Sequence, residues 1–389
     1  MLILVLISFF MISLQSFYSH EVQAPIYAVC GVILCMLLAA YKILKRESVV
    51  VSGYLVAFLF FYFLSFGFSL MATLGHGGEL SVTRALGYFV CICAIFAVGI
   101  IIQAVSLSKV LFFLISVHAF VFYSQFILYY GFGFAFDPLL LIMGYKQSGW
   151  GGSFEHEILG KFIRFGGLYN EPGTYSTYMA PVIALFSRYR KKSASNHFLF
   201  LAALMSLVLT FSVFGVVFCA IISVVVYRRH IVYLAAAFLP IFLVLVYPYV
   251  RYRFVNFAAS GGDSGFGFRM HLLNSIFNFI SEDIWGFIFG AGLALPEKIS
   301  IVGAVNDVGL IIYLVAESGV FLAILFFVFM CFLSYRGGAS VMAASVIILI
   351  SKVSIFSPFF CLIIVLMIKE SALIRKCDCD FLVRRSTLA

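Results

Sequence analysis

The chain has 389 residues, of which 64% are hydrophobic, 18% aromatic and only 11% charged. A soluble domain carries roughly 25% charged and 45–50% apolar residues, so a water-soluble globule lacks the charge here to cover its surface. High hydrophobicity also excludes a disordered chain. The net charge of +9 reads as the basic loops of a membrane protein, not as a surface for nucleic acid.

A helix needs ~20 apolar residues to cross ~30 Å of hydrocarbon. About twelve segments qualify: 2–18, 24–44, 49–72, 85–104, 109–131, 173–187, 197–210, 213–227, 231–248, 308–334, 339–356 and 358–369. The expected fold class is all-α, a single polytopic membrane domain over residues 1–389. The first segment has no basic n-region and no small-x-small cleavage site after it, so it reads as a retained span, not a signal peptide. The stretch 197–227 is too long for one straight helix. Arg188, Arg190, Lys191 and Lys192 precede it, and Arg228 and Arg229 follow it. Basic groups at both ends predict a hairpin of two short helices turning near Thr210 and Ser212. The last two segments predict a second hairpin, turning at Ser357-Pro358, because proline does not continue a helix ladder cleanly.

Twelve spans put both termini on one side. That side carries 16 of the 25 Lys and Arg residues, the other side carries 8, and Lys352 stays inside a span. The positive-inside bias therefore predicts cytoplasmic termini. Cys30, Cys35, Cys91, Cys93, Cys219, Cys331 and Cys361 fall in spans, so no external disulfide framework is expected. Cys377 and Cys379 offer two ligands in the tail where zinc wants four, so no metal is expected.

Two connections are long, 132–172 and 249–307, and both are external on this topology. Together they hold seven of the eight external basic residues and nine of the eleven external acids. Long loops in compact proteins are usually functional. Leu272, Leu273, Ile276, Phe277 and Ile280 have helical spacing and predict an amphipathic helix on the membrane or bundle. Glu155–Ile163 has a weaker helical pattern. Glycine patches at 149–152 and 261–267 read equally as flexible connections or as close approach to a ligand.

Three segments carry candidate chemistry. The first is Arg164–Pro181, RFGGLYNEPGTYSTYMAP. Pro172 belongs in a first helical turn, where its missing N–H costs nothing. Glu171 then sits at the positive end of that helix. Arg164, Gly166, Gly167 and Tyr169 beside it exceed what a simple cap requires. The second segment holds Arg251, Arg253, Arg269 and His271. Arginine forks bind phosphate oxygens bidentately, although Arg251 and Arg253 beside Tyr249 and Tyr252 also read as interfacial anchors. His271 titrates near neutral pH and is a candidate general base. In the third segment Asn306 and Asp307 precede a span that contains Glu317, and an ionisable residue inside a span is a functional candidate by default.

The pattern Arg164-x-x-Gly167-x-x-x-Glu171-Pro172 before a span resembles the short signature of bacterial O-antigen and exopolysaccharide polymerases of the Wzy type. The likeness extends to the hairpin LTFSVFG around Thr210–Gly215, the external Arg269, the Gly290-Ala291-Gly292 turn, and Asn306 before a span with Glu317-Ser318-Gly319. Family members often carry an arginine after the hairpin Thr-x-Ser; here position 213 is Val. The family's Arg-x10-Gly loop pattern occurs as Arg251 to Gly262 but not from Arg164.

The resemblance implies a GT-C-like membrane glycosyltransferase with two large periplasmic loops in the bacterial inner membrane. It would join oligosaccharide units carried on undecaprenyl diphosphate, with its active site on the periplasmic face. A flippase and a chain-length regulator would be its partners in the bilayer. No nucleotide-binding motif is needed or present, and no cofactor is implied. By this likeness Arg164 and Arg269 hold the diphosphate, Glu171 positions Arg164 or the sugar, and His271 is the base. Arg251, Arg253, Tyr169, Asn306, Asp307 and Glu317 line the substrate site. Two rival readings share the topology: a ligase that transfers the polymer to lipid A core, and a lipid-linked sugar transporter. The transporter reading is disfavoured by polar residues collecting outside the spans and by the lack of an internal repeat.

Overall fold

The structure is a computed structural model. It describes residues 1–14, 26–47, 51–75, 81–144, 146–148, 155–156, 160–161, 163–227, 243–244, 247–248, 251, 273–278, 281, 284–293 and 309–386, with the backbone alone for 155–156, 160–161 and 375–386.

Among these residues the chain is predominantly helical. In order the helices are α1 (Leu2–Ser13), α2 (Ile26–Leu44), α3 (Gly53–Gly75), α4 (Val82–Ile101), α5 (Leu107–Phe132), α6 (Pro138–Met143), α7 (Pro172–Phe186), α8 (Ala194–Leu209), α9 (Val213–Tyr227), α10 (Ile284–Phe289), α11 (Leu310–Ile350) and α12 (Pro358–Ser386). Five segments are long and apolar enough to cross a membrane: Ile26–Leu44, Gly53–Gly75, Val82–Ala104, Leu107–Phe132 and Leu310–Ile350. The chain is thus a multi-pass helical membrane protein.

Several sequence expectations are met locally. Pro172 occupies the first turn of α7. The α8–α9 hairpin turns at Thr210-Phe211-Ser212, with Phe211 at φ +53°. It is tight enough that a Cβ at Gly215 would lie 2.1 Å from the Leu207 carbonyl oxygen. Ser193 caps α8 by accepting from the Asn196 N–H, and Asp137 caps α6 by accepting from Leu139 and Leu140. The predicted spans 308–334 and 339–356 appear as one run, α11, broken at Gly319 and Gly338, where the backbone leaves helical geometry.

Other expectations need correction. Glu155–Ile163 is not helical: Glu155–His156 and Gly160–Lys161 form a two-stranded antiparallel ladder, and a glycine inside the pattern disfavours a helix. Helix α12 runs on to Ser386 instead of stopping at 369, since no glycine or further proline interrupts it. The span 231–248 and both glycine patches fall outside the described residues, apart from 243–244 and 247–248. Of the amphipathic stretch, 273–278 is helical, with Ile276 buried and Phe277 exposed.

Helix α7 is the centre of the bundle. Every residue from Tyr175 to Phe186 is buried, as expected for a helix that is apolar all round. Its far end is fixed at the basic end of the molecule. Arg188 Nη1 donates to Glu370 Oε1 at 3.0 Å, and Tyr189 donates to Glu370 Oε2 at 2.5 Å. Burial, reinforced by the neighbouring Glu370, raises the Tyr189 phenol, so it keeps the proton it donates. Next along α12, Lys369 donates to the carbonyls of Ile102 and Val105 just after α4. The ends of α4 and α7 and the Lys369-Glu370 turn midway along α12 therefore share one level.

Candidate functional site

That shared level fixes the depth of everything above it. A helix rises 1.5 Å per residue. From the basic end, α7 and α9 each reach up only about 22 Å, α8 about 24 Å, and the arms flanking 351–357 about 18 Å. None of these spans ~30 Å of hydrocarbon. Their upper ends meet inside the bundle: a Cβ added at Gly173 would lie 3.6 Å from both Lys352 Nζ and Ser212 Oγ. Ser176 Oγ and Thr210 Oγ1 are 3.2 Å apart, joining α7 to the hairpin tip. Tyr178 stacks on Phe359 at the start of α12.

The signature segment folds down onto this floor. The sequence places it in an external loop, yet Ile163, Phe165, Gly166, Gly167, Leu168 and Tyr169 are all buried. Irregular backbone at membrane depth needs protein partners for its polar groups, and two glutamines supply them. Gln147 donates through Nε2 to the carbonyls of Gly167 (2.7 Å) and Tyr169 (2.9 Å). Gln125 Oε1 accepts from the Gly167 N–H at 2.9 Å and its Nε2 donates to Gln147 Oε1. Asp137 accepts the Gln147 N–H at 2.9 Å. Tyr169 stacks on the buried His118 of α5, whose Nε2 lies 2.8 Å from Ser13 Oγ of α1. Gln147→Ala would strand two buried carbonyls and is expected to destabilise the fold by about 2–3 kcal/mol, read as a lower melting midpoint in detergent; an unchanged midpoint would show that these bonds hold nothing.

This scaffold presents Glu171 and Arg164. Glu171 sits at the N-cap of α7, but its side chain makes no capping bond there. It instead accepts from Lys352 Nζ at 2.7 Å, with the lysine side chain 10% exposed and the carboxylate 44% exposed. Arg164 is half-buried at the head of the segment. A carboxylate and a lysine thus stand over a floor of helix ends, with the hydroxyls of Ser212, Ser176 and Thr210 near them.

A second polar focus lies at the first break in α11. Gly319 adopts φ +84° and ψ 168°, which frees carbonyls one turn earlier. The turn after α10 takes them: Ala291 N–H donates to Ala316 O (2.7 Å) and Gly292 N–H to Glu317 O (3.0 Å). Glu317 is fully buried there. Its Oε1 accepts from Tyr88 at 3.0 Å. Tyr88 in turn lies 2.7 Å from Ser65 Oγ and 3.3 Å from Ser69 Oγ, and both serines contact Ser318 Oγ. Arg84 lies close enough for its charge to act on Glu317. Phe356 packs against both Tyr88 and Tyr313, so the 351–357 stretch that carries Lys352 also borders this focus.

Beside it, an apolar hollow of about 550 Å³ is lined by Ile311, Ile312, Phe327, Val346 and Leu349. It adjoins the point where the Leu310 N–H donates to the Ser351 carbonyl.

Of the residues singled out by sequence, Tyr169 stacks on His118, Glu171 pairs with Lys352, Arg164 is half-buried at the head of their segment, and Glu317 is placed at the α11 break. Arg251 is exposed. Arg253, Arg269, His271, Asn306 and Asp307 lie outside the described residues. Sequence reasoning passed over Gln125, Gln147, Tyr88, Ser65, Ser69 and Arg84. Ser65, Ser69 and Thr73 recur every four residues on α3, a polar stripe in an apolar helix that marks a protein-facing side.

No family model, characterised protein or solved structure matches the chain. The described residues define a multi-pass helical membrane protein with a charged pair where the tips of short helices meet. Its further assignment is a matter of chemistry.

Proposed function

We propose that the chain is a membrane glycosyltransferase that polymerises oligosaccharide units carried on a polyprenyl diphosphate. The observation that carries this reading is the Glu171–Lys352 pair at the end of the buried signature segment, where the tips of short helices meet. As a glycosidic bond to a lipid diphosphate breaks, negative charge grows on the leaving group. Fixed cations in a low-dielectric site stabilise that charge more than water does. Arg164 and Lys352 are such cations, and Glu171 orients Lys352. Arg269 would join them from the long loop. The hollow by Ser351 is of a size and character to take part of an apolar lipid chain. On this reading both termini are cytoplasmic and the site faces the periplasm of an inner membrane.

The test is reconstitution: purified protein and a lipid-linked repeat unit are expected to yield a ladder of longer lipid-linked products. Arg164→Ala and Arg269→Ala are each expected to insert normally and lose the ladder by about 100-fold or more. Normal ladders from both variants would sink the reading. A ligase would give no ladder in this assay and would transfer the lipid-linked glycan only once lipid A core is added as acceptor.

One observation favours a second reading. Broken helices with binding groups at mid-depth characterise transporters, and α11 is broken beside Glu317. The transporter reading is supported by movement of lipid-linked oligosaccharide across vesicles without bond formation.

A further inference from the structure

Two complementary buried atoms, one at the α11 break and one on α4, lack hydrogen-bond partners among the described residues. Glu317 Oε1 is engaged by Tyr88, but Glu317 Oε2 is buried without a hydrogen-bond partner among the described residues. Arg84 Nη1 is likewise buried without one. Leaving a charged buried group unsatisfied costs more than leaving a neutral one, so both atoms call for an occupant. Arg84 stands one turn before Tyr88 on the same face of α4, and Tyr88 is the group that donates to Glu317. The surroundings are built, not incidental. The Ser65 and Ser69 hydroxyls hold Tyr88, Ser318 joins those two serines, and Tyr88 holds Glu317. The backbone carbonyls freed at Gly319 are already taken by Ala291 and Gly292, so the carboxyl oxygen is not needed to repair the break. Arg84 is half-buried in the first turn of α4, and this links the cluster to the surface.

A group that satisfies both atoms must accept a hydrogen bond from a guanidinium and donate one to a carboxylate. A cation would face Arg84, and a phosphate oxygen would face Glu317. A hydroxyl meets both demands. We propose that Arg84 Nη1 and Glu317 Oε2 clamp a hydroxyl of a sugar ring, at a site separate from Arg164, Glu171 and Lys352. The inference rests on the glycosyltransferase reading for its sugar. Such an enzyme must hold an acceptor sugar as well as a donor diphosphate, and this focus is bordered by the same 351–357 stretch. Water has the same donor and acceptor character, and the experiment separates the two.

The full-length protein in detergent is titrated with methyl glycosides of glucose, galactose, mannose and N-acetylglucosamine, and separately with inorganic diphosphate, by saturation-transfer NMR. At least one glycoside is expected to bind the wild type. Glu317→Gln keeps the shape and removes the charge; Arg84→Gln does the same from another helix, where a folding defect in the first variant would not follow. Each is expected to weaken glycoside binding about tenfold or more while diphosphate binding and the melting midpoint hold. No glycoside binding to the wild type, or equal binding by both variants, overturns the proposal and leaves water as the occupant. Weakened binding together with failed polymerisation by the wild type keeps the clamp and removes the glycosyltransferase reading.

Discussion

Lys352→Ala is expected to reduce polymer formation by about 100-fold or more, the usual cost of losing one preorganised charge donor at a reacting centre. The lysine ammonium lies 2.7 Å from the Glu171 carboxylate, a charge-assisted bond between groups far apart in sequence. The asymmetry of the pair matters. Lys352 is nearly enclosed and Glu171 is half open, so the carboxylate keeps solvent when the lysine is lost. Removing Lys352 therefore leaves no stranded buried charge, and the fold is expected to survive. A purely structural pair behaves differently. In that case Glu171→Lys combined with Lys352→Glu would restore activity, because the attraction is rebuilt with reversed sign. If Lys352 meets the leaving group, the exchanged pair puts the carboxylate deeper and stays inactive. The comparison needs the product ladder and a melting curve for both single variants and the double variant. Full activity of the exchanged pair would reduce Lys352 to a strut.

The helix start at Pro172 and the acidic group before it were legible because they obey rules local to one turn. The partner of Glu171 was not, since Lys352 lies 181 residues away and an isolated lysine near a span end reads equally well as snorkelling. Depth was hidden for the same kind of reason. Composition marks 163–171 as polar and glycine-bearing, which describes an external loop. It becomes buried only because Gln125 and Gln147 occupy its backbone groups. A glutamine inside an apolar helix was the available signal. The transporter argument from sequence also shifts: Glu171, Lys352 and Glu317 sit within the bundle, so polar groups are not confined to external loops. Glu317 itself was readable, because an acid inside an apolar run is costly wherever the chain goes.

Gly319→Ala is expected to abolish recovery of folded protein from the membrane, the largest effect foreseen for so small a change. Two penalties act together. At φ +84° and ψ 168° the backbone lies in a region essentially reserved for glycine. The added Cβ would also stand 1.9 Å from the carbonyl oxygen of Ile288 and 2.4 Å from its carbon. Both atoms are main chain at the end of α10, so no rotamer change relieves the clash. Moving α10 away would pull the following turn from its place, and Gly290 and Gly292 are locked there. A Cβ at Gly290 would already sit 2.4 Å from the Glu317 carbonyl, and one at Gly292 would sit 2.6 Å from the Thr73 nitrogen. The carbonyls of Ala316 and Glu317 would then lose their donors in a setting without water. Gly338 supplies the control. It has φ +66°, but its Cβ would meet only Ile374 Cδ1 at 3.6 Å. With ψ −167° it lies in the same glycine-only region as Gly319, so Gly338→Ala is expected to cost about 1–3 kcal/mol from backbone strain alone and to yield folded protein. Size-exclusion recovery and thermal melting of the two variants side by side decide the matter. Equal recovery would mean that α11 does not need its first break, and the placement of Glu317 would lose its physical basis.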